Sequence, residues 1–193
     1  LKPHPTISFH LQPCTGVQVS TPSSTPPLVL ITGGSRGIGA ASALLAAQQG
    51  WAVAVNYTRD AQAAADVVSQ IHAMGGKAQA FQADVGIESD IHRLFSEVDH
   101  AMGRIQGLVN NAGVVDVACR VEDMSWDRLE RMMRINVIGS FVCAAQAVKR
   151  MSTRHGGSGG SIVNLSSAAA VLGAPNQYVD YAASKGAIDT FTL

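Results

Sequence analysis

A short apolar run that leads into a glycine-rich segment constrains this chain more than any other feature. Residues 28–31 (LVLI) predict a buried strand, and residues 40–47 (AASALLAA) predict a helix. Between them stands the segment TGGSRGIG, residues 32–39. Glycines let a backbone turn tightly and approach a pyrophosphate, and the N-terminus of the following helix attracts an anion. The segment therefore predicts a phosphate-binding strand–turn–helix unit, with a plain strand-to-helix turn as the alternative.

Apolar stretches alternate with helix-like stretches along the rest of the chain. Strands are predicted at residues 51–57, 77–81, 105–109 and 161–165. Helices are predicted at residues 61–74 and 88–102, and a long one from its N-cap Ser125 to about Met151. Apolar strands that alternate with helices imply an α/β fold with a parallel sheet covered on both faces. In such folds, ligands bind at the C-terminal ends of the strands.

A second chemical pattern lies near the end of the sequence. Tyr181 and Lys185 are four residues apart, so on a helix they share one face. A nearby ammonium group favours the phenolate form of a tyrosine, which can then act as a general acid or base. A serine of the upstream pair Ser166 and Ser167 could hold a substrate carbonyl or alcohol. Taken alone the pattern is weak, because this spacing is common on exposed helices.

Five motifs stand in the order found in the short-chain dehydrogenases/reductases. They are residues 32–39, residues 110–113 (NNAG), Asn136, Ser167, and Tyr181 with Lys185. The chain resembles that family from about residue 28 to its last residue. Residues 178–189 look like the bacterial-type branch of sugar dehydrogenases and oxoacyl-carrier-protein reductases. The resemblance implies a three-layer, doubly wound parallel sheet of the Rossmann type and an oxidoreductase activity.

The resemblance implies that four residues act in catalysis: Asn136, Ser167, Tyr181 and Lys185. Tyr181 would give a proton to a carbonyl oxygen as hydride arrives from a nicotinamide, or accept one in reverse. Lys185 would assist the tyrosine and bond the nicotinamide ribose, while Ser167 would hold the carbonyl oxygen. Asn136 would kink its helix and hold a water that feeds protons through Lys185; a capping or packing role is the alternative.

Two ambiguities remain in this set, and the family resemblance gives a preference for each. Ser167 is preferred to Ser166 because the second serine usually aligns with the family's serine. Tyr181 is preferred to Tyr178 because only Tyr181 has a lysine four residues later.

The resemblance also implies a set of residues that contact the cofactor. They are Gly33, Ser35, Arg36, Gly37, Ile38, Gly39, Asn56, Tyr57, Arg59, Asp84, Val85, Asn110, Ala112 and Gly113, with Tyr181 and Lys185. Asp84 would meet the adenine amino group, with the Val85 backbone beside it; a carboxylate that favours a helix N-terminus is the alternative for Asp84. Residues 114–120 and 168–178 are expected to line the substrate pocket, but sugars, oxoacyl thioesters, steroids and small ketones all remain open as substrates.

The residue that ends the second strand decides which cofactor is expected. In the family an acidic residue there favours NAD by accepting from the ribose 2′-OH. Tyr57 holds that place, and no carboxylate follows until Asp60. Arg36 and Arg59 suit contact with a phosphate. We therefore expect NADP(H) rather than NAD(H), with a solvated loop charge as the alternative for Arg59.

Composition narrows the class of partner. The 193 residues are 47% hydrophobic, enough for one sizeable core. A formal net charge of +0 and the lack of a basic run argue against nucleic acid and anionic membranes as partners, and a small-molecule alcohol or carbonyl substrate is expected. Cys14, Cys119 and Cys143 lack metal-ligand spacing, and the histidines are scattered, so we expect reduced thiols, a cytoplasmic setting and no metal site.

The two ends of the sequence differ from the middle. Residues 1–27 are rich in proline, serine and threonine, which predicts disorder, with organelle targeting as a minor alternative. The first residue is not Met, and the last, Leu193, falls inside the predicted catalytic helix. We therefore expect a domain over residues 28–193 that is incomplete at its C-terminus, and a homo-oligomeric full-length form.

Three hypotheses follow. The favoured one is a fragment of an NADP-dependent oxidoreductase. The second is a truncated, inactive product that binds nucleotide weakly or interferes with full-length subunits by mixed assembly. The third is a nucleotide-binding module without turnover, which the intact serine, tyrosine and lysine disfavour.

Overall fold

The computed structural model describes residues 25–193. The disorder predicted for residues 1–27 therefore falls almost wholly outside the described residues, as does Cys14. Within residues 25–193, no helix combines the length and the apolar character that a bilayer crossing requires.

Five parallel strands form one sheet in the order β3-β2-β1-β4-β5. Their bounds are β1 Leu28–Ile31, β2 Ala52–Tyr57, β3 Ala78–Gln82, β4 Gly107–Asn110 and β5 Ser161–Asn164. Each lies within two residues of its predicted position. The central strand β1 is buried along its whole length, because helices cover both of its faces.

Seven α-helices complete the described fold. Their bounds are α1 Gly37–Gln48, α2 Ala61–Ala73, α3 Glu88–Met102, α4 Trp126–Met133, α5 Gly139–Met151, α6 Ala169–Leu172 and α7 Val179–Thr192. The prediction of α2 and α3 is confirmed to within one residue. The predicted start of α1 at residue 40 is late, since the helical hydrogen bond from the Ala40 N–H to the Arg36 carbonyl already lies inside the glycine motif.

Two apolar clusters divide the helices between the faces of the sheet. Leu28 and Leu30 belong to the cluster that includes side chains of α3 and α5. Val29 and Ile31 belong to the cluster that includes side chains of α1 and α2. Because successive side chains of a strand point to opposite faces, β1 contributes to both layers. The three-layer, doubly wound α/β fold is confirmed.

The helix predicted from Ser125 to about Met151 is confirmed in its bounds, and it contains one π-helical turn. Ser125 does cap α4, since its hydroxyl oxygen accepts from the Arg128 N–H at 3.3 Å. However, a π-helical turn, Arg134–Ile138, separates α4 from α5. Such turns disrupt the regular helix and frequently lie at functional sites. Periodicity alone did not reveal this one, because its polar residue Asn136 is held by a loop far away in sequence.

The order in which strands are added to the sheet reverses at β1. It runs outward from β1 to β2 and β3, then returns to place β4 on the other side of β1. The loops after β1 and β4 therefore leave the sheet side by side at its C-terminal edge. In open α/β sheets this switch point forms the ligand-binding crevice.

Candidate active site

The glycine loop between β1 and α1 is packed too tightly for larger residues. Gly33 has a φ of +60°, a conformation that suits glycine. A Cβ on Gly39 would overlap the carbonyl oxygen of Gly33 and the side-chain nitrogen of Asn111. The first turn of α1 therefore lies directly against the loop.

The N-terminus of α1 is open to an anion. Arg36, the N-cap residue, makes no side-chain cap hydrogen bond, and the first turn holds no acidic residue. Arg36, Gly37 and Ile38 are exposed, and Ser35 is half-buried. Unpaired N–H groups and the positive end of the helix dipole at such a terminus bind phosphate. This edge fits the pyrophosphate of a dinucleotide.

Asn56 is buried beneath the glycine loop and bonds to its backbone. Its side-chain oxygen accepts from the Gly33 N–H at 3.1 Å, and its nitrogen donates to the carbonyl of Ala83 at 3.0 Å. Asn56 is 1% exposed. The side chain of Asn56, a residue of the expected cofactor-binding set, is thus bonded within the protein, where it orients the loop.

Thr32 and Asn111 fasten the same loop to the segment after β4. The backbone N–H groups of Asn111 and Ala112 both donate to the Thr32 hydroxyl at 3.1 Å. The Asn111 side chain donates to the carbonyls of Thr32 and Gly33 at 2.8 and 2.9 Å. The first and fourth strands thus end in one rigid unit. Sequence reasoning gave neither side chain a role, although both stand inside quoted motifs.

The residues that would meet the adenosine end lie at the ends of β2 and β3. Tyr57 is half-buried, and Arg59 is exposed. The Asp60 carboxylate accepts from the Ala63 N–H at 3.0 Å as the N-cap of α2. The Asp84 carboxylate accepts from the Gly86 N–H at 2.8 Å. Asp60 is thus occupied as a helix cap.

Asn110 and Val85, two further residues of the expected cofactor-binding set, are buried. The Asn110 side chain donates to the Ser140 carbonyl at 3.1 Å and to the Asn164 side chain at 2.9 Å. Asn110 is 4% exposed. Its side chain is bonded within the protein and steadies the central strands. Val85 is also buried, so only its backbone can face one.

Lys185 lies at the centre of the second predicted motif. Its Nζ donates to the carbonyl of Leu165 at 2.6 Å and lies 5.8 Å from the centre of the Tyr181 ring. Burial lowers the pKa of Lys185 below its ordinary value, and the charge of Asp189 partly offsets this. A desolvated ammonium group interacts more strongly with a nearby developing phenolate than a hydrated one does.

Asn136 joins the loop after β4 to the helix of Lys185. Its side chain accepts from the Val114 N–H at 2.8 Å and donates to the Val114 carbonyl at 2.9 Å. It also donates to the Ser184 hydroxyl at 3.1 Å. A Cβ built on Gly113 would lie 3.4 Å from Asn136 Oδ1 and 3.8 Å from Lys185 Nζ. The expected kink at Asn136 coincides with the π-helical turn.

The two serines after β5 differ in their hydrogen bonds. The Ser166 hydroxyl donates to the Lys185 carbonyl at 3.2 Å. The Ser167 oxygen instead accepts from the Ala169 N–H at 3.2 Å, which leaves its proton free to donate. The Tyr181 hydroxyl has no hydrogen-bond partner within residues 25–193, and the residue is half-buried. Ser167 and Tyr181 therefore retain donors for a ligand.

One ion pair beside this site was missed by sequence reasoning. Arg128 on α4 bonds Asp180, the residue before Tyr181, across 52 residues of sequence. Asp180 stands inside a quoted motif, but nothing in the sequence pattern marks its partner. The same reasoning missed α6, because four residues give no useful periodicity.

A cavity of about 830 Å³ lies elsewhere. It is lined by Leu28, Ala52 and Ala78, the first residues of β1, β2 and β3. It therefore opens at the edge of the sheet opposite the glycine loop and is not part of this site. Within residues 25–193, no group of three or more metal-ligating side chains comes together.

Residues 27–193 match the family model described as short chain dehydrogenase. The chain belongs to the short-chain dehydrogenase family. An uncharacterized oxidoreductase of Escherichia coli (strain K12), YgfF, is 51% identical over 165 residues, which cover 86% of this chain and 67% of that protein. Versicolorin reductase 1 of Aspergillus parasiticus is 40% identical over 164 residues, which cover 85% of this chain and 60% of that one.

A solved structure of a short-chain dehydrogenase also matches the fold of this chain. A short chain dehydrogenase from Burkholderia cenocepacia J2315, in complex with NADP, superposes with a TM-score of 0.79 at 36% identity. The match covers 87% of this chain and 66% of that structure. The chain thus spans about three fifths to two thirds of the length of the relatives it matches.

Proposed function

We propose that this chain carries the cofactor-binding and catalytic residues of an NADP(H)-dependent oxidoreductase that interconverts an alcohol and a ketone or aldehyde. One observation carries the proposal: residues 111–113 connect the glycine loop to the catalytic lysine. Asn111 bonds the Gly33 carbonyl at 2.9 Å, and a Cβ on Gly113 would lie 3.8 Å from Lys185 Nζ. A phosphate-binding helix terminus and a tyrosine–lysine pair therefore share one crevice, as transfer from a dinucleotide requires.

NADPH, when bound along this crevice, supplies the hydride. Ser167 donates a hydrogen bond to the substrate carbonyl oxygen and fixes its position. Tyr181 gives its phenolic proton to the same oxygen as negative charge develops there. Lys185 stabilises the resulting phenolate, and its position is set by the Leu165 carbonyl. Asn136 keeps the Val114 segment against α7, and its helix turn also holds a water that relays protons through Lys185.

The preference for NADP(H) is supported by the charges around the adenosine end. No carboxylate stands at the end of β2, where Tyr57 lies, and Asp60 uses one carboxylate oxygen to cap α2. Arg36 and Arg59 are exposed near the ends of the glycine loop and β2. A guanidinium group is suited to a 2′-phosphate. The NADP complex of the Burkholderia cenocepacia relative adds support.

The substrate is proposed only as a small alcohol or carbonyl compound.

Cys119 and Cys143 are both free thiols, and burial raises the pKa of the Cys143 thiol to about 12. Unpaired thiols support a reducing, cytoplasmic setting. A homo-oligomer of the full-length form stays a prediction from the family resemblance.

Thermal melting of the purified chain with NADPH and NADH tests the proposal. A ligand at 100 times its Kd stabilises a protein by about 2.7 kcal/mol, so NADPH should raise the melting temperature clearly and NADH little at the same concentration. No rise with either nucleotide would contradict the proposal.

Turnover is tested separately with a panel of ketones and aldehydes. Tyr181→Phe should still be stabilised by NADPH but should oxidise it no faster than the background. If the unaltered chain binds NADPH yet oxidises it no faster than Tyr181→Phe on every compound, the binding hypothesis without turnover would replace this one.

A further inference from the structure

Arg128 makes three hydrogen bonds with one planar side chain. Its Nε and Nη2 donate to the two carboxylate oxygens of Asp180 at 2.7 and 3.2 Å. Its Nη1 donates to the backbone carbonyl of Val117 at 2.7 Å. Arg128 therefore holds two separate segments at once: the first turn of α7, and the segment of residues 114–120 that leads away from β4.

The burial of this pair argues that it does more than stabilise the fold. The side chains of Arg128 and Asp180 are 9% and 0% exposed. Removing two ions from water carries a desolvation penalty of several kcal/mol per ion, so an apolar pair of similar size is often as stable. The neighbouring pair between Arg131 and Asp116 is 50% and 31% exposed. The buried pair instead fixes geometry, because a bidentate guanidinium–carboxylate contact has one preferred orientation.

The position of Asp180 on α7 connects the ion pair to the candidate active site. Asp180 directly precedes Tyr181, and the N-cap residue Tyr178 makes no side-chain cap hydrogen bond. The Asp180–Arg128 contact is thus the side-chain anchor of the first turn of α7. A second link lies beside it, because the Cys119 N–H donates to the Gln177 carbonyl at 2.9 Å.

We propose that Arg128 is a positioning residue. It couples residues 114–120 to the first turn of α7 and so sets where the Tyr181 hydroxyl stands relative to the substrate. The inference rests on the proposed function in one respect, the role of Tyr181 as proton donor. This role requires no contact of Arg128 with substrate or cofactor.

Two measurements that need no substrate test the coupling. The first is amide hydrogen exchange of residues 114–120 and 178–184. The second is the NMR spectrum of protein labelled with [13Cζ]tyrosine, in which the chain's three tyrosines give three signals. Tyr181→Phe and Tyr178→Phe assign them, and Tyr57 on β2 is an internal reference. If Arg128 contributed only to overall stability, its substitution would not shift the Tyr181 signal while leaving the Tyr57 signal unchanged.

The main variant is the double substitution Arg128→Met with Asp180→Leu, which removes both buried charges. We expect it to fold, to exchange at least tenfold faster in both segments, and to show a shifted or broadened Tyr181 signal with Tyr57 unchanged. Glu130→Gln, which removes an exposed charge on the same helix, is the matched control and should leave both readouts as in the unaltered chain. Exchange within twofold and an unmoved Tyr181 signal in the double variant would overturn the proposal.

Arg128→Lys provides a second, independent arm. A lysine keeps the charge opposite Asp180 but has no rigid fork to reach Val117 at the same time. Residues 178–184 should therefore stay protected while residues 114–120 exchange at least fivefold faster. Unchanged exchange in residues 114–120 would show that Arg128 does not couple the segments.

Melting of the same proteins with NADPH separates the two proposals. Absence of NADPH stabilisation in the unaltered chain would count against the proposed function and leave the exchange and NMR results standing. Unmoved exchange and Tyr181 signals, in variants that NADPH still stabilises, would count against the positioning role alone.

Discussion

The side-chain nitrogen of Lys185 donates a hydrogen bond of 2.6 Å to the backbone carbonyl of Leu165. Leu165 directly follows β5, so the bond ties α7 to the end of the sheet. Lys185 is 6% exposed, which means that a charged group is kept in a largely water-free place beside Tyr181. The lysine is thus fixed before any ligand binds, and the site is pre-organised around it.

The burial of Lys185 predicts an alkaline pH dependence of stability. Its folded-state pKa is lowered by burial, so between that pKa and about 10.4 the unfolded chain binds more protons than the folded chain. This group therefore makes the free energy of unfolding rise with pH in that window. Urea unfolding from pH 7 to 10.5 should show that rise relative to Lys185→Met. Lys149→Met, at an exposed lysine, is the control; the prediction is wrong if both variants give parallel curves.

Asp180 makes stability depend on pH in the same direction, but at the acid end of the scale. Burial by itself raises the pKa of Asp180, but the Arg128 hydrogen bond and charge, together with backbone N–H groups, outweigh it and hold the pKa below its ordinary value. Its stabilisation is complete above about pH 3.9 and is lost as pH falls through the folded pKa. Asp180→Asn should destabilise the chain by about 3 kcal/mol at pH 7, with the difference shrinking below pH 3.9. Asp116→Asn, in the exposed pair, should change stability by less than about 1 kcal/mol.

Two glycine substitutions should act in opposite directions. Gly39→Ala places a Cβ against the Gly33 carbonyl and should destabilise the chain by about 1–3 kcal/mol and weaken NADPH binding. A Cβ at Gly186 in α7 meets no atom within 4 Å, so Gly186→Ala should stabilise by up to about 1 kcal/mol through helix propensity. Urea midpoints measure both effects. Equal midpoints for the two variants would argue against the packed loop.

Asn56 should act on the nucleotide through the loop. Asn56→Ala leaves the Gly33 N–H and the Ala83 carbonyl without their partner, and we expect a loss of about 2–3 kcal/mol in stability and weaker binding of NADPH and NADH alike. Gln82→Ala removes an exposed bond to the Thr58 carbonyl and should be nearly neutral. A selective loss of NADPH binding in Asn56→Ala, with stability intact, would instead indicate that Asn56 contacts the cofactor directly.

The two arginines near the adenosine end should discriminate between cofactors. Arg36→Ala and Arg59→Ala should each raise the Kd for NADPH about tenfold or more, because a hydrogen bond to a charged group contributes about 1.5–3 kcal/mol. The Kd for NADH should change much less. Isothermal titration of both nucleotides measures this, with the exposed Arg104→Ala as control. Equal losses for the two nucleotides would refute the assignment of NADP(H).

Local sequence was sufficient for the five strands and for the bounds of α2 and α3. The apolar run before residues 32–39 and the alternation of strands with helices depend on short-range periodicity and on the conformational freedom of glycine. Tyr181 and Lys185 are neighbours through helix geometry alone. These features are confirmed because each is decided within a few residues of chain.

Only the tertiary structure decided which polar side chains face the crevice. Asn56 and Asn110 belong to the expected cofactor set, yet both are buried with their amides bonded inside the protein. The π-helical turn around Asn136 and the pair between Arg128 and Asp180 also arise from contacts between distant segments. A hydrogen bond between residues 52 apart leaves no periodic trace in sequence, because its formation depends on how the helices pack and not on the residues beside each partner.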